Sequence, residues 1–330
     1  MADSVTLEAI RAAADRLRPI ARVTPLIDVT LAAGRPLFLK CENLQPGGAF
    51  KIRGAYNMIA QLGADERRRG VITYSSGNHG QAVALSAREL GAPAVVVMPT
   101  TAPAIKVEGT RAFGAEVIFE GTTSSDRRQR AEAEAAARGL TMVPPFDHEW
   151  IIAGQGTAGL EILEQRGDVR AVVVPIGGGG LIAGVATAVK RSRPDVAVVG
   201  VEPIGAAAMK ASLEAGQPVT LPSTHSIADG LMPVRPGDLT FAHVHRFVDA
   251  VVTVEDEQIA DAVLWTFTHA KMVAEPSGAA TIAAVMCGAV DRAVRIDGPI
   301  VAIVSGGNMA VTKLAELAWR AHSERVAPDV

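Results

Sequence analysis

Short apolar runs rich in valine and isoleucine alternate along the chain with alanine-rich segments of helical period, and this alternation restricts the possible folds more than any other feature. Strands that alternate with helices favour βαβ units, in which the strands run parallel. The runs are apolar throughout rather than at every second residue, which is typical of sheets covered by helices on both faces. The sequence therefore predicts an α/β protein with parallel sheets.

Seven such runs are predicted as strands, at 71–74, 94–98, 116–119, 171–175, 196–201, 248–254 and 299–304. Helices are predicted near 78–90, 104–113, 125–138, 149–166, 180–191, 256–270 and 309–321. Together with a fourth strand expected before residue 146, the first three strands are enough for a small sheet of their own. We therefore expect two domains that each contain a parallel sheet: a small domain at 70–146, and a large, discontinuous domain formed by 1–69 and 147–330. The stretch 216–237, rich in glycine, proline and aspartate, is expected to be a long functional loop.

Composition and charge exclude several classes of protein. The 330 residues are enough to bury a core, and a formal net charge of −3 without long blocks of one sign does not indicate a nucleic-acid or membrane partner. No apolar run approaches the length of a membrane span, and Asp3, Glu8 and Asp15 are not typical of a signal peptide. Two cysteines, Cys41 and Cys287, do not form a disulfide framework. A cytoplasmic protein is expected.

Three polar, glycine-rich turns follow predicted strands, at 75–80 (SSGNHG), 177–180 (GGGG) and 305–308 (SGGN). Open α/β sheets bind ligands beyond the carboxyl ends of their strands. Four consecutive glycines cost chain entropy, but their N–H groups at the start of a helix suit a phosphate. The run lacks the Gly-Lys-Ser/Thr of a Walker A loop and the G-x-G-x-x-G order of a dinucleotide site. A phosphate is indicated, but a nucleotide is not.

Lys51 lies in the segment GGAFKIRGA, among small or apolar residues, although only seven of the 32 basic residues in the chain are lysines. A phosphate-bearing cofactor that needs a lysine rather than an arginine is pyridoxal phosphate, because only the amine can form a Schiff base. The apolar neighbours Phe50 and Ile52 favour the neutral, nucleophilic amine. Taken alone, without the other motifs, Lys51 would be interpreted as an ordinary surface lysine.

GGAFKIRGA, SSGNHGQAVA, the four glycines and SGGN occur in this order and together resemble the motifs of the fold-type II pyridoxal-phosphate enzymes, whose fold is that of the tryptophan synthase β subunit. Within that group the chain is similar to the threonine dehydratase and serine racemase family. The resemblance runs nearly from end to end. It departs from the family at Ala49, where a serine is common. It implies pyridoxal 5'-phosphate as the cofactor, an amino acid as the substrate, and a homodimer or homotetramer.

The resemblance also implies a role for each cofactor-binding motif. Lys51 would hold the cofactor covalently and later move the substrate's Cα proton, with Phe50 beside the ring. Asn78 would hydrogen-bond the phenolic oxygen of the ring, and Ser305 would face its pyridine nitrogen. A hydroxyl at this position does not keep the nitrogen protonated, which favours β-elimination over transamination. The phosphate would be cradled by Gly177, Gly178, Gly179, Gly180 and Leu181.

For the substrate carboxylate, the resemblance implies the backbone and hydroxyls of Ser75, Ser76, Gly77, Asn78 and His79. Ser76 also takes the place of the serine that acts as acid and base in the racemases, on the face opposite the lysine.

Racemase-type relatives bind Mg²⁺ or Ca²⁺ through a glutamate, a backbone carbonyl and an aspartate. Here Glu202 matches the first and Ala206 can offer the second, but Ala208 stands where the aspartate would be. Divalent cations of this kind prefer several charged oxygen ligands. Weak or absent divalent binding is therefore expected.

The resemblance implies pyridoxal-phosphate-dependent β-elimination of a β-hydroxy amino acid, chiefly L-threonine and to a lesser degree L-serine, to a 2-oxo acid and ammonia. The chain is too short after residue 305 for the regulatory domain of biosynthetic threonine dehydratases, so a catabolic or racemase-like enzyme is expected. Three alternatives remain open: a serine racemase, a dehydratase of 3-hydroxyaspartate or another 3-hydroxy amino acid, and a non-catalytic amino-acid- or phosphate-binding protein. Pro233 favours a dehydratase, because animal serine racemases have a serine there.

Overall fold

The computed structural model describes residues 5–75, 77–102 and 104–326. The strands are β1 (Leu26–Asp28), β2 (Leu37–Lys40), β3 (Val71–Tyr74), β4 (Ala94–Met98), β5 (Glu116–Phe119), β6 (Thr141–Met142), β7 (Ala171–Pro175), β8 (Ala197–Pro203), β9 (Ala250–Val254) and β10 (Ile300–Ile303). The α-helices are α1 (Leu7–Leu17), α2 (Thr30–Ala33), α3 (Lys51–Ala60), α4 (Ala64–Arg69), α5 (Asn78–Glu89), α6 (Ala104–Ala112), α7 (Ser124–Arg138), α8 (Glu149–Gln165), α9 (Gly180–Ser192), α10 (Ala208–Ala215), α11 (Asp238–Phe247), α12 (Asp256–Trp265), α13 (Pro276–Met286), α14 (Ala289–Ala293) and α15 (Val311–Val326).

The strands form two sheets. The larger has the order β1-β2-β10-β7-β8-β9, and the smaller has the order β5-β4-β3-β6. Strand β1 pairs antiparallel with β2, whereas the pairs β2–β10, β10–β7, β7–β8 and β8–β9 are parallel. The three pairs of the smaller sheet are parallel too. The predicted α/β class with two parallel-strand sheets is confirmed.

Both faces of the larger sheet are buried, which explains why its strands are apolar throughout. On β7, Ala171 and Val173 pack in one core cluster with residues of α13, and Val172 and Val174 pack in another with residues of α8 and α9. Successive side chains of a strand point to opposite faces, so a strand with helices on both sides needs an apolar residue at every position.

The predicted strands at 71–74, 94–98, 116–119 and 171–175 have the observed bounds, and the other three differ by one or two residues at one or both ends. The segment predicted as a helix at 256–270 is helical throughout, but α12 ends at Trp265 and the last five residues, Thr266–Ala270, form a π-helix. Strand β1 and the bounds of β2 were not predicted. The stretch 216–237 contains one short 3₁₀ turn, Asp229–Leu231, and otherwise connects α10 to α11 as a loop.

All four strands of the smaller sheet lie between residues 71 and 142. The domain bounds at 69/70 and 146/147 stay a prediction. In the described part of the chain, no helix combines the length and the apolar composition needed to cross a membrane.

Candidate active site

Lys51 is the first residue of α3, and the loop before it is fastened to the end of β10. Ala49 forms an isolated β-bridge with Gly306, and the Phe50 N–H donates to the Ser305 carbonyl at 3.0 Å. Gly48 has a φ of +73°, and a Cβ there would lie 2.2 Å from a side-chain oxygen of Asn308. The loop therefore needs a glycine at this position, and it delivers Lys51 to the carboxyl edge of the larger sheet.

The Lys51 amine lies in desolvated surroundings, although the residue as a whole keeps some exposure. Nζ donates to the Pro145 carbonyl at 2.7 Å and lies 5.2 Å from the centroid of the Phe50 ring. Burial lowers the pKa of Lys51 from 10.5 to about 8. A fraction of the amine can therefore be neutral near physiological pH, and a nucleophile or a general base requires this neutral form.

The four glycines connect β7 to α9 in a space that leaves no room for side chains. A Cβ on Gly178 would lie 2.3 Å from the Phe146 ring, and a Cβ on Gly177 would lie 2.8 Å from the Gly230 carbonyl. Gly179 has a φ of +95°. The first N–H groups of a helix have no intrahelical acceptor, and its N-terminus carries positive partial charge. The bare backbone at the start of α9 therefore suits a phosphate.

Two residues that sequence reasoning missed support the glycine run from behind. Thr240 donates its hydroxyl to the Gly178 carbonyl at 2.7 Å. Asp147 accepts the N–H groups of Asp238, Leu239 and Thr240 at 3.0, 3.0 and 3.1 Å and so caps the start of α11. No sequence signal marks these contacts, because Asp147 lies about 90 residues before α11.

The amide of Asn78 is held at both ends. Its Nδ2 donates to Glu275 Oε1 at 2.6 Å, and its Oδ1 accepts from Asn308 Nδ2 at 2.9 Å. Asn308 Nδ2 also donates to the Gly47 carbonyl at 2.7 Å. The glycine-rich turns at 75–80 and 305–308 therefore meet at the loop before Lys51. Burial, with Asp229 acting in the same direction, raises the pKa of Glu275 to about 7.

Ser305 is buried at the end of β10, and its hydroxyl donates to the Ser277 carbonyl at 3.4 Å. The structure thus brings a lysine amine, a cradle of glycines, an oriented amide and a buried hydroxyl to one edge of the larger sheet. These groups fit a cofactor that carries a phosphate and a carbonyl. They fit pyridoxal phosphate.

Comparison with known proteins decides the family. Residues 17–306 match the family model described as pyridoxal-phosphate dependent enzyme. The chain belongs to the pyridoxal-phosphate-dependent enzymes. It is 45% identical to the L-threonine ammonia-lyase of Thermotoga maritima, over 94% of this chain and 77% of that protein.

It is also 40% identical to the serine racemase of Oryza sativa subsp. indica, over 95% of this chain and 94% of that protein. The solved structure of maize serine racemase superposes with a TM-score of 0.91 at 38% identity and covers 98% of this chain and 99% of that chain. The chain spans about half, 52%, of the biosynthetic L-threonine dehydratase of Pasteurella multocida. The relative named L-threonine ammonia-lyase and the relative named serine racemase are thus almost equally similar to this chain.

In this pyridoxal-phosphate enzyme, the turn after β3 leads into α5. Ser75 Oγ accepts the Gly77 N–H at 3.2 Å, and Ser76 lies outside the described residues. The His79 ring is turned away, with Nε2 3.0 Å from the Val143 carbonyl. Burial, assisted by the charge of Lys51, lowers the pKa of His79 to about 3. The neutral imidazole donates its Nε2–H to that carbonyl and carries no positive charge for a carboxylate ligand.

The carboxylate considered for a cation already accepts two backbone N–H groups. Oε1 of Glu202 accepts the Met209 N–H at 2.8 Å, and Oε2 accepts the Lys210 N–H at 2.9 Å. Burial raises the pKa of Glu202 to about 7. Ala206 ends a short 3₁₀ turn, Ile204–Ala206. Among the described residues, no three histidine, cysteine or carboxylate side chains are grouped to hold a metal ion.

A cleft with a cavity volume of about 340 Å³ opens beside the carbonyl that holds Lys51. The segment Pro144–Asp147 forms one wall, Tyr74 and Met142 of the smaller sheet form a second, and Arg235–Asp238 form a third. Phe146 belongs both to this cleft and to the packing against Gly178.

Proposed function

We propose that this chain is a threonine ammonia-lyase, which converts L-threonine, and L-serine as a lesser substrate, to a 2-oxo acid and ammonia by β-elimination. The observation that carries the proposal is the desolvated Lys51 amine, which donates to the Pro145 carbonyl next to Phe146, the residue that packs against Gly178. L-threonine ammonia-lyases of Thermotoga maritima and Geobacter sulfurreducens, 45% and 42% identical over 94% of this chain, support the choice of reaction.

The groups at the site would hold pyridoxal phosphate in one orientation. Lys51 would bind it covalently, and Asn78 would donate its remaining amide N–H to the phenolic oxygen. Phe50 would lie beside the ring, and Ser305 would face the pyridine nitrogen. The bound cofactor withdraws electrons from Cα, which labilises the Cα proton. The phosphate would lie on the backbone of Gly177, Gly178, Gly179, Gly180 and Leu181.

Lys51 is the base that this arrangement favours. A pKa of about 8 gives a neutral fraction near physiological pH while the amine stays basic enough to take a proton. The Pro145 carbonyl accepts from Nζ and so directs the lone pair of the neutral amine away from that wall. Once it has taken the Cα proton, the Lys51 ammonium can return a proton to the departing hydroxyl, which leaves as water.

The substrate carboxylate would bind at the start of α5. This helix has twelve residues, and its N-terminal N–H groups attract an anion. The hydroxyls of Ser75 and Ser76 and the backbone of Gly77, Asn78 and His79 complete the proposed site. Binding here fixes the amino acid by its carboxylate and leaves its side chain free to differ.

The direct test has two parts. Borohydride reduction followed by peptide mapping should place a pyridoxyl group on Lys51, and Lys271→Ala should leave that label unchanged. A panel of L-threonine, L-serine, D-serine and 3-hydroxyaspartate, assayed for 2-oxo acid, should give the highest kcat/KM with L-threonine. A label on another lysine would refute the assignment of Lys51. A labelled protein that releases no 2-oxo acid from any of the four would contradict the lyase proposal.

A serine racemase is the second candidate, supported by the 40% identity to the rice racemase. Racemisation needs a proton donor on the face opposite Lys51, and Ser76 is the residue proposed for it. General acid–base help is worth roughly 10²–10⁴-fold, so Ser76→Ala should lower racemisation by at least about 10²-fold and elimination less. Loss of both activities together, with an unchanged cofactor spectrum, would show that Ser76 serves elimination itself.

We further propose that the protein acts in the cytoplasm as a homodimer or homotetramer, with neither a nucleic acid nor a membrane as partner. The two cysteines are unpaired, and Cys41 is buried, which suits a reducing compartment. Large apolar side chains such as Leu31 and Trp319 are 99% and 72% exposed, and a subunit contact would cover such groups. Light scattering on the purified protein measures the assembly.

A further inference from the structure

Four charged side chains lie together beneath the start of α3, on the side away from the cofactor groups. They are Lys40 at the end of β2, Glu42 in the turn after it, Arg53 in the first turn of α3, and Glu161 on α8, and we call them the buried ion cluster. Lys40 and Glu42 are 0% exposed and Arg53 is 1% exposed. The two cations balance the two carboxylates, as buried charges require.

Arg53 uses its whole guanidinium in this cluster. Nε and Nη2 donate to the two oxygens of Glu42 at 2.7 and 2.8 Å. Nη1 and Nη2 donate to the two oxygens of Glu161 at 2.6 and 2.8 Å, and Nη1 also donates to Thr157 at 3.0 Å. All five N–H donors are therefore engaged, in two forked pairs that only a planar guanidinium can form.

The cluster connects parts of the chain that are distant in sequence. Lys40 Nζ donates to Glu161, to the Thr24 carbonyl at 2.8 Å and to Gln165 at 2.9 Å. The Thr24 hydroxyl donates to Glu42 at 2.6 Å. Although burial alone would raise the pKa of Glu42, the charge and hydrogen bonds of Arg53, with Lys40 and Thr24, hold it below its usual value. Glu42 therefore keeps its charge beside Arg53, and each group of the cluster fixes its partners.

Lys51 and Arg53 are two residues apart at the start of the same helix. Such residues are about 200° apart around the axis and point to opposite faces. Helix α3 begins without a side-chain cap, since its N-cap residue Phe50 makes no such hydrogen bond. A first turn without a cap frays more easily. The anchoring of Arg53 holds this turn from behind.

We propose that Arg53, with Glu42 and Glu161, is a positioning residue that fixes the rotation of the first turn of α3 and so the place of the Lys51 amine. This inference rests on the role proposed above for Lys51. Close packing on the same side of α3 supports it. A Cβ on Gly154 of α8 would lie 2.5 Å from the Arg53 carbonyl, and one on Gly54 would lie 2.4 Å from Gln155. The turn is thus in contact with α8 on its rear side.

A buried ion pair is by itself weak support for stability, because desolvation opposes the attraction of the charges, and apolar residues often replace it without loss. A purely structural role would therefore appear in unfolding but not in the chemistry of Lys51. A positioning role predicts a change in the rate at which Lys51 binds added cofactor covalently, which we call capture. It also predicts a change in the pH at which Lys51 titrates. A misplacement of about 1 Å can cost roughly 10²-fold in a reaction of positioned groups.

The test compares Arg53→Lys and Glu42→Gln with the wild type and with Thr187→Val. Thr187→Val removes another buried hydrogen bond, the one between the Thr187 hydroxyl and His243 Nδ1 at 2.9 Å, and serves as a control for lost stability. Cofactor is removed, pyridoxal phosphate is added back, and the rate of capture and the pH midpoint of the absorbance change are recorded alongside thermal unfolding. Arg53→Lys keeps the positive charge but loses the bidentate hydrogen bonds to Glu42 and Glu161. Because the charge is kept, it is the cluster variant that most readily stays folded.

We expect capture to slow by roughly ten- to a hundredfold in Arg53→Lys and to stay close to wild type in Thr187→Val. The pH midpoint of the absorbance change should move in Arg53→Lys and not in Thr187→Val. Capture that slows by less than about fivefold in both cluster variants, or that slows equally in Thr187→Val, overturns the inference. Borohydride labelling of Lys51→Ala separates the two proposals. A pyridoxyl label that persists on another lysine of this variant refutes the role of Lys51. If the label is lost in Lys51→Ala but Arg53→Lys captures the cofactor at the normal rate, only the role of Arg53 is refuted.

Discussion

Replacing Lys51 by methionine should stabilise the cofactor-free protein at neutral pH. Burial lowers the pKa of the Lys51 amine from 10.5 to about 8, because the folded protein desolvates it without an opposite charge. Each pKa unit is worth about 1.4 kcal/mol, so a difference of about 2.5 units costs the folded state about 3 kcal/mol while the amine is protonated in both states. Lys51→Met removes this cost and also loses the hydrogen bond to Pro145, worth about 1 kcal/mol.

The dependence on pH identifies the cause. Between pH 8 and 10.5 the unfolded chain keeps the Lys51 proton and the folded protein does not, so wild-type stability rises with pH in this window. Below pH 8 the cost is present in full, and above 10.5 it is absent. The free energy of unfolding of Lys51→Met should therefore exceed that of wild type by about 2 kcal/mol at pH 7. This advantage should shrink steadily as the pH is raised from 8 to 10.

Urea unfolding of the cofactor-free proteins, followed by circular dichroism at several pH values from 7 to 10, measures the difference. The control is Lys271→Met, which removes one positive charge from an exposed position. Only the difference between each variant and wild type is interpreted, because groups common to both proteins then cancel. A Lys51→Met protein that is less stable than wild type at pH 7, or an advantage that does not change with pH, would refute the desolvation argument.

Three further predictions concern the residues around Lys51. Gly178→Ala should weaken pyridoxal-phosphate binding in a fluorescence titration, because its Cβ would lie 2.3 Å from Phe146, whereas Gly167→Ala, with no atom within 4 Å, should bind normally. Glu275→Gln should gain thermal stability over wild type as the pH rises from 5 to 8, because the folded state holds the Glu275 proton up to a pKa of about 7 and the unfolded state does not; an unchanged difference would argue against this. Mg²⁺ should not activate the enzyme strongly, since both oxygens of Glu202 accept backbone N–H groups; strong activation that Glu202→Ala abolishes would contradict this.

Much of the fold follows from strand composition alone. Strand β7, read as AVVVP, is apolar on both faces. It follows Arg170 and is separated from the glycine run only by Ile176, so its bounds and its place inside a covered sheet were predictable. Strand β1 was not, because its three residues end in a charge and it pairs antiparallel at the edge of the sheet. Helix α3 was missed because the residues that hold its first turn are not adjacent in sequence. Local patterns do not show such tertiary contacts.

The cofactor groups were predictable to the extent that they lie in compact motifs. Lys51, the glycine run and Ser305 each stand in a short segment whose chemistry can be read without the fold, and the structure brings these segments together. The amide of Asn78 is different, because its orientation depends on Glu275, 197 residues away. The position of Phe146 over Gly178 also depends on packing. The sequence contains these residues, but no spacing in it indicates that they lie in contact.

The segment FKIRGA shows why a motif can be recognised and still be only half understood. In the proposed function Lys51 holds the cofactor covalently, and that role requires an apolar site in which the amine loses its proton easily. Arg53, two residues later, keeps its charge in equally buried surroundings. Glu42 and Glu161 each accept a bidentate pair of hydrogen bonds from one edge of its guanidinium. A lysine at 53 could not engage both carboxylates in pairs, and an arginine at 51 could not bind the cofactor. The two positions thus need different cations for separate reasons, and the arginine gives the lysine its fixed place.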